Sequence, residues 1–183
     1  PDSSVIGNSA TATVEAKYYA GGGLPAAPVT WSVSTSAGSY SPPGHDGFTF
    51  GAWTPWWDWH GYEDSYSRGG IAAPENYKSF QSRTDSAGAH HLKMDFLSVD
   101  PPRPTVVNAE ASVSDVNRQA WNASTSILVH PSDYYVGLRT KEAFVEKGEP
   151  LEVELVACHR DGKTLTDVPV EIAVWRADYK YEK

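Results

Sequence analysis

Apolar and polar side chains alternate along most of this chain, and the repeat is two residues, the period of a strand and not of a helix. From Thr11 to Tyr19, Ala12, Val14, Ala16 and Tyr18 share one face, while Thr13, Glu15 and Lys17 share the other. Gly21-Gly22-Gly23-Leu24-Pro25 breaks that strand, and Val29, Trp31 and Val33 alternate with Thr30, Ser32 and Ser34 in a second one, which ends in the turn-prone stretch 36–44. Thr84-Asp85-Ser86-Ala87-Gly88 predicts a tight turn, because an aspartate side chain can bond the backbone ahead of it and glycine accepts positive φ. It feeds a strand with Leu92, Met94 and Phe96 inward, closed by Pro101-Pro102-Arg103-Pro104. A hairpin follows by pattern: Val107, Ala109, Ala111 and Val113 share one face, then Trp121, Ala123, Thr125, Ile127 and Val129 share another, with Asp115 to Gln119 as the connection.

His130-Pro131-Ser132-Asp133 marks a boundary, since a proline beside polar residues interrupts the ladder where the first set of strands is complete. The chain thus divides into a nearly whole unit, 1–131, and the start of a second, 132–183. The second shows Tyr135 to Leu138, the turn Lys147-Gly148-Glu149-Pro150, a strand with Leu151, Val153, Leu155 and Ala157 inward, the turn Asp161-Gly162, and a strand with Val170, Ile172 and Val174 inward. About three strands do not make a sandwich of about seven, so its core calls for further chain or a partner. Residues 45–80 break the alternation. They carry Trp53, Trp56, Trp57 and Trp59 with tyrosines and phenylalanines among glycines and charges, and read as a long aromatic hairpin or loop inserted in the first unit.

Composition narrows the picture further. Valine outnumbers leucine by more than two to one, and 15 glycines with 13 prolines supply turns, so the class is all-β, an antiparallel β-sandwich. The length of 183 residues suffices for one or two domains. A formal charge of -8, spread along the chain, offers no basic footprint for nucleic acid. No unbroken apolar run reaches the roughly 18 residues of a membrane helix. The single cysteine, Cys158, cannot form an internal disulfide, and no ligand spacing for structural zinc exists. The chain opens Pro1-Asp2-Ser3-Ser4, without a start methionine or a signal core, and reads as an internal piece of something longer.

Several of these segments, in this order, resemble the bacterial α2-macroglobulins, large protease-trapping proteins built from strings of macroglobulin-like β-sandwich domains. The pieces are the strand ending Tyr18-Tyr19 before a glycine-rich turn and Pro25; Val29-Thr30-Trp31-Ser32-Val33; Phe48-Thr49-Phe50-Gly51 ahead of the tryptophans; Thr84-Asp85-x-x-Gly88; Ala109 to Asn117 leading to Ile127-Leu128-Val129-His130-Pro131; and Tyr135-Val136-Gly137-Leu138. Lys147-Gly148-Glu149-Pro150-Leu151 and Asp161-Gly162-Lys163 then look like the first strands of a following domain. The resemblance implies the third macroglobulin-like domain and the start of the fourth. It also implies a non-catalytic scaffold in an endopeptidase inhibitor that is periplasmic or extracellular, or anchored to the envelope through its parent. The partners it implies are neighbouring domains of the same parent and, through the whole parent, target proteases. The family's thioester forms within a Cys-x-x-Gln type motif. Cys158 is followed by His159-Arg160-Asp161, which does not match.

The candidate interaction surface is the cluster Trp53, Trp56, Trp57, Trp59, Tyr62 and Tyr66. Flat rings stack on pyranose faces, so the alternative function is a carbohydrate- or surface-binding module. Packing over the sandwich edge or against a neighbouring domain is the expected role, because the spacing does not put all the rings on one strand face and each ring buries roughly 150 to 250 Å². His45, Asp46, Asp58, His60, His90 and His91 invite a metal reading, but no third ligand has firm spacing, and no metal or cofactor is expected. Glu63 and Asp64 are adjacent and point apart on an extended chain, unlike a glycosidase pair. Cys158 follows Ala157, so alternation turns its thiol outward or to the rim, where His159 and Arg160 would lower its pKa.

Overall fold

In the computed structural model, residues 3–51, 76–97, 102–142, 144–146 and 148–174 are described. They form β-strands and no helix. The strands are β1 (Ser3–Val5), β2 (Ser9–Glu15), β3 (Pro28–Ala37), β4 (Thr49–Phe50), β5 (Asn76–Arg83), β6 (Ala89–Asp95), β7 (Thr105–Ser114), β8 (Ala120–His130), β9 (Tyr134–Thr140) and β10 (Val153–His159). A five-stranded sheet of order β1-β8-β7-β3-β5 lies against the two-stranded sheet β2-β6, and β10-β9-β4 form a third sheet. Every pairing is antiparallel except that of β1 with β8.

The first core sits between the first two sheets, where the two-residue repeat places it. Ala12 and Val14 from β2, Val29 and Trp31 from β3, and Ala109, Ala111 and Val113 from β7 are buried together with Leu24 and Ala27. Phe96, Val107, Ile127 and Val129 extend it toward the far end of β8. Trp31 lies opposite Ala111 in the β3–β7 ladder, and the small partner leaves room for the indole. Burying roughly 200 Å² of that side chain contributes at most about 5 kcal/mol of gross transfer free energy.

Aspartates build the turns. Asp85 Oδ1 accepts from the backbone N–H groups of Ala87 and Ala89 at 2.8 and 2.9 Å. Asp115 repeats this with Asn117 and Gln119 at 2.7 and 2.9 Å. Gly88, at φ 81, touches the Gly21–Pro25 loop so closely that a Cβ there would collide with the Ala16 carbonyl oxygen. Thr84, buried beside it, donates to the Leu24 carbonyl at 2.5 Å and accepts from Ala27 N–H at 2.9 Å.

Some expectations are corrected. The first repeat stops at Glu15, and Tyr18 is exposed. Within 45–80, read as hairpin or loop, the described ends are strands: Thr49–Phe50 and Asn76–Arg83. Trp121, Ala123 and Thr125 do share the core-facing side of β8, but they stand exposed, Trp121 at 56%. Leu151, Val153 and Leu155 are not inward. They stand exposed, with Val136 and Leu138 on the same side of the β9–β10 hairpin, because that hairpin is apolar on both faces and only the other face is covered among the described residues. Val170, Ile172 and Val174 are exposed and form no strand. Thr164 and Leu165 still bond the edge of β10, but Asp167 takes a φ of 57 and Pro169 has no N–H to give, so the chain leaves the ladder.

Candidate functional site

Of the sequence candidates, the six rings Trp53, Trp56, Trp57, Trp59, Tyr62 and Tyr66 lie outside the described residues, as do Asp58, His60, Glu63 and Asp64. The remaining histidines do not converge, and among the described residues no group of three or more His, Cys, Asp or Glu side chains could hold a metal. His90 accepts the Trp31 indole N–H on Nδ1 at 3.0 Å, which fixes its own proton on Nε2. His91 Nδ1 lies 2.9 Å from Thr13 Oγ1. His45 donates from Nε2 to the Gly162 carbonyl at 2.8 Å.

The most densely built polar and aromatic cluster among the described residues is one that alternation does not flag. It is the junction between the first sandwich and the β4-β9-β10 sheet. His130, the last residue of β8, has the opposite parity to Ile127 and Val129, so it turns away from the first core, and it is 2% exposed. Its Nδ1 lies 2.7 Å from the Tyr135 hydroxyl on β9. Tyr40, from the loop after β3, sets its ring edge-on to His130 at 4.6 Å and donates its hydroxyl to the Arg160 carbonyl at 2.6 Å. Arg160 in turn pairs with Asp133 at 3.0 Å. The sequence signal was a histidine between an apolar run and a proline, with a tyrosine five residues on.

Residues 40–50 roof the buried face of the hairpin. Phe50 crosses β9 at Gly137, where a Cβ would collide with its ring, and it lies edge-on to Tyr135 at 6.4 Å. Phe48 stacks under the Arg139 guanidinium at 4.3 Å, and Arg139 also binds Glu154 across the hairpin. Thr49 and Phe50 join β9 in register with Leu138 and Gly137. The β10-β9-β4 sheet therefore joins a strand from ahead of Pro131 to two from beyond it.

Burial sets the electrostatics here. It pushes the Tyr135 phenol up to about 12, with Tyr40 adding to the rise and Arg160 opposing it. It holds His130 below the ordinary 6.5, aided by Arg160 and opposed by Asp133. Cys158 is the reverse of its sequence expectation. It faces Tyr135 in the register, is 0% exposed, and its thiol is raised by burial and then by Asp161. The arrangement packs, with no activated nucleophile in it.

Between β5 and β6 the sandwich flank opens as a groove of about 550 Å³, with Val33, Phe80, Leu92, Met94 and Phe96 on its floor and Lys78, Lys93 and Asp95 among its lining residues. Among the described residues, no helix is long and apolar enough to cross a membrane.

A comparison with protein-family models gives no match, and neither does one with curated proteins. Solved structures do match. The chain is similar to Escherichia coli α2-macroglobulin activated by porcine elastase, at 15% identity and a TM-score of 0.57, over 88% of this chain and 14% of that one. It is also similar to the native conformation of the E. coli protein, at 12% identity and a TM-score of 0.56, over 90% and 10%. Salmonella α2-macroglobulin reacted with methylamine aligns at 12% identity and a TM-score of 0.55, over 90% and 11%. The chain spans only 10–14% of the length of these proteins. At these identities the likeness is one of fold, and the fold of this chain, all-β and sandwiched, is that of a macroglobulin-like stretch of the bacterial α2-macroglobulins.

Proposed function

We propose that this chain is a non-catalytic structural part of a protease-trapping protein of the bacterial α2-macroglobulin kind. The observation that carries the proposal is the likeness over 88–90% of the chain, which is more than residues 1–131 alone make up. In this reading 1–131 is one macroglobulin-like domain and 132–183 the N-terminal part of the next. Their partners are neighbouring domains, and target proteases through the parent, which works in the periplasm or outside the cell and can be anchored to the envelope. The rings of Trp53, Trp56, Trp57, Trp59, Tyr62 and Tyr66 then serve as an inter-domain wedge.

Elastase and trypsin are suitable probes, since the E. coli protein is activated by them. Incubated with the parent, the protease is expected to lose activity on a large protein substrate while keeping it on a small chromogenic peptide, because a cage excludes the former. The isolated chain is expected to change neither. Equal loss on both substrates, or no effect of the parent, counts against the proposal. The glycan-binding alternative is met by following tryptophan fluorescence during titration with soluble glycans. No saturable change is expected, and one that is lost in Trp56→Ala and Trp57→Ala would replace the wedge with a binding role.

A further inference from the structure

Consecutive β-sandwich units are commonly joined by exposed, mobile linkers, with few contacts across the boundary. This junction differs: a histidine is its most buried polar group, and aromatic rings from both sides enclose it. We propose that the His130 junction is an acid-operated latch, closed when the imidazole is neutral and released when it takes up a proton, freeing the β9–β10 hairpin from its seat on β8 and on residues 40–50.

The geometry argues for release. An imidazolium at 2% exposure has lost its water, and a nearby anion is the strongest compensation a protein can offer it. The groups around it come from four segments. Tyr40 reaches it from the loop after β3, and Tyr135 from β9. Asp133 stands in the turn between β8 and β9, and Arg160 in the turn after β10. Neither phenol supplies charge: Tyr40 donates its proton to a backbone carbonyl, and Tyr135 stays neutral far above physiological pH. Among the described residues, the carboxylate that acts on it, Asp133, is already held by Arg160, whose own charge opposes the proton. Closure therefore favours neutral His130, in line with its lowered pKa.

The sign follows. The undocked histidine titrates near 6.5 and the docked one lower, so the stability of the closed junction is complete above 6.5 and is lost as pH falls from there toward the docked value. Each unit of separation between the two pKa values raises the open population on the order of tenfold.

Cys158 is the reporter, as the only cysteine in the chain and one sealed against the same face of the hairpin. The full chain is reacted with 4,4′-dithiodipyridine from about pH 8 to about pH 5, the range in which histidine titrates. The rate is divided at each pH by that of the urea-unfolded chain, which removes the reagent's and the thiol's own pH dependence. Protection is expected to hold steady down to about pH 7 and then fall on the order of tenfold or more. Far-ultraviolet circular dichroism is expected to keep the strand signal of the first sandwich throughout. In His130→Gln the fall is expected to vanish. If that variant does not fold, Asp133→Asn is expected to steepen the fall in its place, by removing the one group that favours the proton. Flat protection in the native chain, a fall unchanged in His130→Gln or in Asp133→Asn, or a fall that coincides with global unfolding overturns the latch.

Discussion

At the scale of single residues, backbone-bonding side chains and close approaches shape this fold alongside its buried rings. Gly88 combines a φ of 81 with contact against the Ala16 carbonyl, so Gly88→Ala is expected to cost about 1–3 kcal/mol, measured by urea unfolding with an unchanged m-value. The Asp85 turn differs from it in being sensitive to acid. The Asp85 carboxylate is held below the ordinary 3.8, first by the Ala89 N–H, with Ala87 adding to it and burial opposing. Its contribution is therefore full above 3.8 and disappears as pH falls through the lower folded value. Asp85→Asn is expected to flatten that acid limb of a melting-temperature profile, and a limb of unchanged depth would remove Asp85 from its cause. Trp31 adds a polar requirement to a buried ring. Trp31→Phe leaves His90 Nδ1 without its donor and is expected to cost about 1 kcal/mol, against about 3–5 kcal/mol for Trp31→Ala.

At the scale of elements, legibility depends on how many faces are apolar. β2, β3 and β7 are apolar on one side only, so alternation alone gave their inward residues: Ala12 and Val14, Val29 and Trp31, Ala109 to Val113. The β9–β10 hairpin carries Leu138 and Leu155 on one side and Tyr135 and Cys158 on the other, and parity cannot choose between two apolar sides. What chose was the roof of residues 40–50, a tertiary contact that no local pattern encodes. β1 and β5 stayed hidden for the opposite reason. One is three residues long with two serines, and the other is exposed along nearly its whole length, with Phe80 as the lone apolar residue beside Trp31, so neither offers a repeat to read. The His130 cluster escaped because its parity points away from the core that the pattern defined for β8. The side of the hairpin that the described residues leave uncovered makes a prediction of its own. Leu155→Lys is expected to leave the melting temperature of this chain within about 1–2 °C, since Leu155 is already 40% exposed. In a longer chain whose second sandwich is complete, the same change is expected to cost about 2–4 kcal/mol, and equal effects in the two would argue against a covering layer.

At the scale of the whole molecule, the two units of the proposed division at Pro131 would share material. β4 belongs by sequence to the first and by hydrogen bonding to the second, and His130 and Tyr40 seal the seam between them. Truncation after Pro131 is therefore expected to lower the melting temperature of the first sandwich by on the order of 5 °C and to raise binding of an apolar dye, as the rings of Tyr40, Phe48 and Phe50 lose their seat. Independent beads on a string would show neither change. The parallel pairing of β1 with β8 bears on how such a body meets force. Ser3, Ser4 and Val5 lie beside Leu128, Val129 and His130 and run the same way. Tension entering ahead of Ser3 and leaving beyond His130 slides the two strands past one another, straining their rungs together and not peeling them singly, so a brace of three residues resists tugging well beyond its length.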